Sequence, residues 1–246
     1  MADHLLEKKA NQFRLALGAA SNPLSLFSVL LKLDVLTVFK PMGDGFSGMA
    51  IRVGEPGNLK RFILVNSSHP VGKQHFTICH ELYHLFIQEQ FSSMICFTGK
   101  FSKDDPEEYN ADVFASFFLL PTAGLEALIP DQELKKNKIT LSTILKIEQT
   151  FTCSRAALLY RLKQMQIIDG SGYEFFKGDV IRNAWNYGYD TSLYQPGNHN
   201  KVIGDYGTIA RCLYEKEKIS ESHYLSLLLD LGINTEEIEG LTNGEE

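Results

Sequence analysis

Cysteine is scarce in this sequence, which has four cysteines in 246 residues. They stand far apart, at positions 79, 96, 153 and 212, and none forms the C-x-x-C spacing of structural zinc sites and redox-active dithiols. Small secreted proteins that are held together by disulfides carry far more cysteine. We therefore expect free thiols in a reducing compartment.

The sequence also lacks a long apolar run and an excess of basic residues. No stretch approaches the ~18 consecutive apolar residues of a membrane span. The formal net charge of -6 argues against strong nonspecific binding of nucleic acid by the whole molecule. With 44% hydrophobic and 22% charged residues, the composition is that of a soluble globular protein, and we expect it in the cytoplasm.

One motif stands out from this ordinary composition, the sequence H-E-L-Y-H at residues 80–84. On an α-helix, residues four apart lie on one face, so His80 and His84 can direct ring nitrogens to a single ion. Glu81 would then lie beside the open metal position, where a carboxylate can take a proton from water. The surrounding apolar residues predict a buried amphipathic helix: Phe76, Ile78, Leu82, Leu85 and Phe86.

A second helical pattern, from about residue 106 to 120, offers the third ligand. Glu108 and Asp112 are four apart and share a face of this helix. Two histidines and one glutamate leave a fourth position for water, which is the ligand set of catalytic rather than structural zinc. The sequence thus predicts a Zn²⁺ site formed by His80, His84 and Glu108. We expect Asp112 to accept a hydrogen bond from the second ring nitrogen of a liganding histidine.

The two motifs together are typical of gluzincin peptidases, and the chain resembles one family in particular. The segments "HFTICHELYHLF" and "EYNADVFASFFLLP", with "FSGMAI", "ILVNSSHP" and "SRAALLYRLKQMQIID" around them, are similar to the ImmA/IrrE family of bacterial metallopeptidases. The likeness covers roughly residues 23–169. It implies zinc ligation by His80, His84 and Glu108, with Glu81 as general base. The family usually has asparagine where this chain has Asp112.

This resemblance implies a function as well as a site. Members of the family are intracellular endopeptidases that are often encoded beside a helix-turn-helix repressor, which they inactivate. We therefore expect a zinc-dependent endopeptidase that cleaves a regulatory protein, a helix-turn-helix repressor or an antitoxin, and so derepresses genes. The alternative hypothesis is a binding module that sequesters a repressor, or contacts DNA, without cutting. The presence of all four expected catalytic positions favours the enzyme.

Three further side chains are candidates to stabilise the oxyanion of a tetrahedral intermediate. His69 and His75 shortly precede the motif, and Tyr109 directly follows Glu108. The role requires a hydrogen-bond donor that is aimed at the developing negative charge. The sequence does not choose among the three.

The order of the predicted elements indicates an α+β fold. We expect a small antiparallel β-sheet packed on the helices that carry the zinc site, followed by a helical layer and a C-terminal appendage. An exposed edge of the sheet would hold an extended substrate by strand addition. The predicted elements are helices over 4–19 and 22–32, strands over 34–40, 46–53 and 61–66, and a loop over 88–105 at the rim of the cleft.

We predict three regions: a zinc metallopeptidase core over 1–130, a helix-turn-helix-like segment over 131–169, and a mostly helical appendage over 170–246 with an acidic tail. The middle segment carries seven basic residues, so it either reads DNA or packs on the core as a structural layer. Its apolar second helix favours the structural layer. The aromatic residues after position 170 either recognise a partner or pack the appendage, and we favour packing.

Overall fold

The structure is a computed structural model, and it describes residues 1–55, 57–91, 93–96, 101 and 104–233. The acidic tail predicted from the sequence lies almost entirely outside this range. The α-helices of the described residues are α1 (Asp3–Ala16), α2 (Leu26–Lys32), α3 (Val71–Phe86), α4 (Pro106–Leu119), α5 (Thr122–Leu128), α6 (Leu141–Phe151), α7 (Arg155–Gln164), α8 (Gly170–Phe176), α9 (Val180–Asn186), α10 (Tyr206–Glu215) and α11 (Glu221–Asp230).

The strands of the described residues form one mixed sheet. They are β1 (Val35–Lys40), β2 (Gly48–Val53), β3 (Lys60–Asn66), β4 (Ser93–Cys96) and β5 (Val202–Ile203), and their order across the sheet is β4-β2-β3-β1-β5. The predicted α+β class is confirmed. The expectation of a wholly antiparallel sheet is wrong for one pair, because β1 and β3 run parallel. The chain reverses direction between β1 and β2 and again between β2 and β3. Strand β2 therefore pairs antiparallel with one side of β3, and β1 pairs parallel with the other side.

The expectation of a loop over 88–105 is wrong in part, because the segment contains strand β4. This strand pairs antiparallel with β2, residue for residue from Ser93 opposite Ile51 to Cys96 opposite Gly48. The segment is polar and shows no alternation of apolar residues. A short edge strand obtains its hydrogen bonds from its neighbour, and the sequence pattern therefore need not reveal it.

Helix α4 begins where the sequence predicts, and its start is fixed by a strong N-terminal cap. The Asp105 carboxylate accepts hydrogen bonds from the backbone N–H groups of Glu107 and Glu108, at 3.1 and 3.3 Å. Pro106 occupies the first helical position, where its missing N–H costs nothing. Glu108 is thereby held in the first turn of the helix.

The helix pair α6–α7 packs against the rest of the hydrophobic core. Arg155 forms an ion pair with Glu148, and the two side chains are 3% and 0% exposed. Arg161 is also buried, and it donates hydrogen bonds to the Leu120 carbonyl and to Thr122 Oγ1. Two of the basic residues that suggested DNA contact therefore point inward, which favours the structural interpretation of this segment.

Residues 194–203 contact the sheet and the helix pair α6–α7. Strand β5 pairs antiparallel with β1, and the Tyr194 hydroxyl donates a hydrogen bond to the buried Glu148 carboxylate. Other aromatic residues of this region lie at the surface, with Phe175 80% and Trp185 73% exposed. The proposed division into three regions stays a prediction.

Among the described residues, no single helix has both the length and the apolar composition of a membrane span. Helices α4 and α5 would meet these criteria only as a pair that is bent by 42°.

Candidate metal centre

Three side chains from two neighbouring helices converge on one point inside the protein. His80 and His84 lie one turn apart on α3, and Glu108 approaches from the first turn of α4. The Nε2 atoms of the two histidines are 3.1 Å apart. The Glu108 carboxylate oxygens lie 3.4 Å from His80 Nε2 and 3.2 Å from His84 Nε2. One ligand atom from each residue thus falls within 4.8 Å of the others, close enough to share an ion.

The outer ring nitrogens of both histidines are already engaged. His80 Nδ1 lies 2.9 Å from Asp112 Oδ1, and His84 Nδ1 lies 2.6 Å from Gln88 Oε1. Both partners are acceptors, so each Nδ1 carries the proton and each Nε2 presents a lone pair to the centre. Two lone pairs and a carboxylate that face one another repel unless a cation lies between them. The donor set therefore fits a divalent metal such as zinc.

The pKa values of His80 and Glu108 are shifted in the directions that favour a positive charge on the histidine and a negative charge on the glutamate. Burial lowers the pKa of His80, but hydrogen bonds to Asp112 and Glu108 outweigh it and raise the pKa to about 10. Burial raises the pKa of Glu108, but hydrogen bonds from His80 and His84 outweigh it and hold the pKa below its usual range. Both shifts follow from the closeness of the histidine nitrogens to the carboxylates, an arrangement that favours binding of a cation.

Asp112 fixes the orientation of His80. Its side chain is 4% exposed, and its second oxygen, Oδ2, accepts a hydrogen bond of 2.8 Å from the backbone N–H of Phe101. A carboxylate that is held in this way sets the ring tautomer of a liganding histidine and increases its basicity. The structure thus brings Asp112 to the place that the sequence suggests.

Replacing Asp112 with asparagine is expected to weaken metal binding by about 10- to 100-fold. Asparagine keeps the shape but loses the negative charge, and it can present an amide donor to the Phe101 N–H. Competition with a chromophoric chelator measures the affinity, and circular dichroism checks that the variant is folded. An affinity equal to that of the unaltered chain would show that Asp112 does not act through His80.

Glu81 lies on the side of α3 that faces the sheet, and it is fully buried. The backbone of β2 passes directly over it. A Cβ atom at Gly48 would lie 2.7 Å from Glu81 Oε1 and 2.5 Å from Thr77 Cγ2, closer than side-chain atoms approach in folded proteins. Only glycine allows β2 to come this near to the carboxylate.

The three candidates for oxyanion stabilisation have other contacts. His75 lies five residues before His80 on α3, about 140° around the helix, and its Nδ1 donates to the Thr152 carbonyl at 2.7 Å. The Tyr109 hydroxyl lies 3.3 Å from Asp3 Oδ1. His69 Nε2 lies 3.2 Å from Lys73 Nζ. The structure does not bring these three residues together at the metal centre.

The sequence did not single out Gln88, Phe101 or Gly48 as parts of the site. Gln88 is four residues beyond His84, a spacing that could have suggested its contact. Gly48 interrupts a strand pattern, which often marks a close approach of the backbone. The contact of the Phe101 N–H with Asp112 has no sequence signal, because it depends on the path of the chain between two helices.

An apolar cavity lies beside the N-terminal half of α3, and its lining does not include His80, His84 or Glu108. Its volume is about 420 Å³, and its lining includes Phe76, one turn before His80 on α3, and Phe101, whose N–H binds Asp112. Helix α7 contributes Ala157 and Tyr160 to the opposite wall, and Lys73 is the charged lining residue. The cavity has room for a large apolar side chain.

Comparison with protein families gives a match over the centre of the chain. The chain matches Peptidase_M78, described as the IrrE N-terminal-like domain, over residues 32–163. This range is more than half of the sequence, and it includes α3, α4 and strands β1 to β4. Among curated proteins, no sequence matches this chain.

Proposed function

Because the chain belongs to the Peptidase_M78 family of IrrE N-terminal-like domains, its role is that of a metallopeptidase, and we propose that it is a zinc-dependent endopeptidase. The convergence of His80, His84 and Glu108, with Glu81 buried beside them, is the observation that carries this proposal. Three ligands from the protein leave a position for water or substrate, as in catalytic zinc sites.

Zinc at this centre would polarise a peptide carbonyl and make an attacking water more acidic. Glu81 is the residue that we assign as general base. It takes the proton of the attacking water as the water oxygen bonds to the carbonyl carbon, and it then gives that proton to the departing amine as the C–N bond breaks. Its buried position next to the backbone of Gly48 keeps the carboxylate in one place throughout.

Other polar groups fix the positions and orientations of the three proposed metal ligands. Asp112 and Gln88 keep both histidines in the tautomer that turns Nε2 inward. The Asp105 cap keeps Glu108 at the start of α4. The cavity beside Phe76, one helical turn before His80, would accept an apolar side chain of the substrate. Each of these residues contributes by limiting the conformations that the reacting groups can adopt.

The substrate that we propose is a regulatory protein in the cytoplasm, a helix-turn-helix repressor or an antitoxin, whose cleavage derepresses genes. The resemblance of the chain to ImmA/IrrE metallopeptidases supports this choice. The acidic net charge and the inward orientation of Arg155 and Arg161 favour recognition of such a protein over direct contact with DNA.

The test is cleavage of helix-turn-helix regulators from the same genome, beginning with any that is encoded beside this chain. Each purified regulator is incubated with the zinc-loaded protein, with the Glu81→Gln variant and with a chelated sample, and the products are mapped by mass spectrometry. We expect specific fragments from the zinc-loaded protein alone. Fragments that persist in the chelated sample would show that another protease produced them.

A further inference from the structure

Strand β2 is the part of the sheet that lies closest to the proposed general base. The missing side chain of Gly48 is what permits its backbone to pass over Glu81. Extended peptides commonly bind proteins by adding a strand to the edge of a sheet, with backbone hydrogen bonds along the added strand. A peptide bond that must reach Glu81 would therefore be well placed alongside the Gly48 end of β2.

That edge of β2 is occupied by a strand of the same chain. β3 pairs with β2 on one side, and β4 pairs with it on the other. The β4 strand is antiparallel to β2 over Gly48–Ile51, and it places Cys96 opposite Gly48. The backbone of β4 thus lies at the end of β2 that passes over Glu81, where an extended substrate would need to bind.

We propose that β4 is an exchangeable occupant of the outer edge of β2 over Gly48–Ile51, here called the β2 edge, and that a substrate must displace β4 to bind there. This inference rests on the proposed peptidase function and adds a regulatory step at the same site. The substrate is an extended segment of at least four residues that runs antiparallel to β2. A region that is already unstructured, or that unfolds locally, fits this edge, whereas an intact helix does not.

Of the two strands that flank β2, β4 has fewer paired residues than β3, and it is the one that we expect to exchange. Six residue pairs join β2 to β3, and six join β1 to β3. Within the described residues, four pairs join β4 to β2, and β4 is the last strand on its side of the sheet. Strand β5 has two pairs with β1, but it lies at the opposite edge of the sheet, away from β2. A short edge strand has the fewest bonds to lose when it opens. Because β4 belongs to the same chain, it competes at an effective concentration on the order of millimolar, which keeps activity low until a substrate with favourable additional contacts arrives.

Two proline variants form a matched pair that tests this exchange. Adjacent residues of a strand direct their N–H groups to opposite sides. One of Met94→Pro and Ile95→Pro therefore removes a hydrogen bond to β2, whereas the other removes a group that points away from it. An edge strand tolerates proline in the outward position.

The probe is a labelled synthetic peptide with the sequence of residues 90–99 and with serine in place of Cys96. Its binding is measured by fluorescence anisotropy in a Glu81→Gln background, which prevents cutting. We expect one proline variant to bind the peptide about tenfold more tightly than the parent, in line with the loss of one hydrogen bond by the internal competitor. The other proline variant should bind like the parent. Equal binding by all three folded proteins would overturn the proposal.

A disulfide lock provides a second test that does not depend on how proline is tolerated. Met49 and Ile95 lie directly opposite each other in the register, so cysteines at both positions are within reach of a bond. In the Met49→Cys, Ile95→Cys double variant, oxidation should abolish peptide binding, and reduction should restore it. The two single variants under the same oxidation are the controls. Peptide binding that survives complete oxidation would exclude exchange of β4.

The same lock, with Glu81 intact, separates failure of this inference from failure of the proposed function. If the reduced protein cuts the regulator and the oxidised protein does not, both are supported. If both forms cut at the same rate, β4 is not displaced and the inference alone is wrong. If neither form cuts although the peptide binds as expected, the β2 edge is a binding site and the endopeptidase function is wrong.

Discussion

Replacing Glu81 with glutamine is expected to abolish hydrolysis while the zinc content of the protein stays unchanged. Glutamine has the same shape, so it fits the buried position under Gly48, but its amide cannot accept the proton of the attacking water. A positioned general base contributes roughly 10²- to 10⁴-fold to the rate. We therefore expect a loss of about 10²- to 10⁴-fold in the initial rate of fragment formation, with elemental analysis as the check on bound metal.

Glu107→Gln is the matched control for this change. Glu107 is adjacent to the proposed ligand Glu108, and it accepts a hydrogen bond of 2.7 Å from the Tyr83 hydroxyl. Glutamine keeps an oxygen acceptor for that bond, so the cleavage rate should remain close to that of the unaltered protein. If Glu81→Gln cleaves as fast as this control, Glu81 is not the general base and the mechanism is wrong.

Replacing His84 with alanine is expected to remove both the metal and the activity. The change leaves His80 and Glu108 as the remaining ligands, and two ligands do not hold zinc in a catalytic site. We expect the zinc content to fall from about one ion per chain to near zero. The exposed His223 on α11 lies outside the centre, and His223→Ala should leave both the metal and the activity intact.

Thermal unfolding adds a second measurement for the same pair of variants. A ligand that binds only the folded state stabilises it, so zinc should raise the melting temperature of the unaltered protein and of His223→Ala but not that of His84→Ala. Retention of stoichiometric zinc by a folded His84→Ala protein would show that the metal binds elsewhere.

The short-range part of the site was predictable from the sequence. His80 and His84 are four residues apart on one helix, and the same spacing relates Glu108 to Asp112 on the next, so helical geometry alone fixes which side chains share a face. The bounds of α4 followed from Pro106 and from the apolar pattern after it. The meeting of the two helices could be inferred because a zinc site requires a third ligand.

The long-range part was not predictable in this way. The parallel pairing of β1 with β3, and the pairing of β4 with β2, depend on the path of the chain between elements that are distant in sequence. A strand of four residues, such as β4, is too short to show a periodic signal. The patterns that predict β1 and β3 as strands do not tell which strands pair or in which direction. The close approach of β2 to Glu81 is visible in the sequence only as a glycine within a strand pattern.

The helix pair α6–α7 shows a different limit of sequence reasoning. Counting charges made it a candidate for DNA contact, but a count does not tell which charges are buried. Arg155 forms a buried ion pair with Glu148. Arg161 donates hydrogen bonds to the Leu120 carbonyl and to the Thr122 hydroxyl, just after the end of α4. A buried cation requires such partners, and neither partner could be assigned from spacing alone.

The most direct test of the central claim is intact-mass measurement of the partner regulator after prolonged incubation with protein that carries one zinc per chain. The endopeptidase account predicts two fragments whose masses sum to that of the regulator plus one water, with no such fragments from Glu81→Gln. A regulator that remains whole, with zinc verified in the protein and with β4 opened by the effective proline substitution, would contradict the account. If that intact regulator is found bound to the protein, the molecule is a binding module.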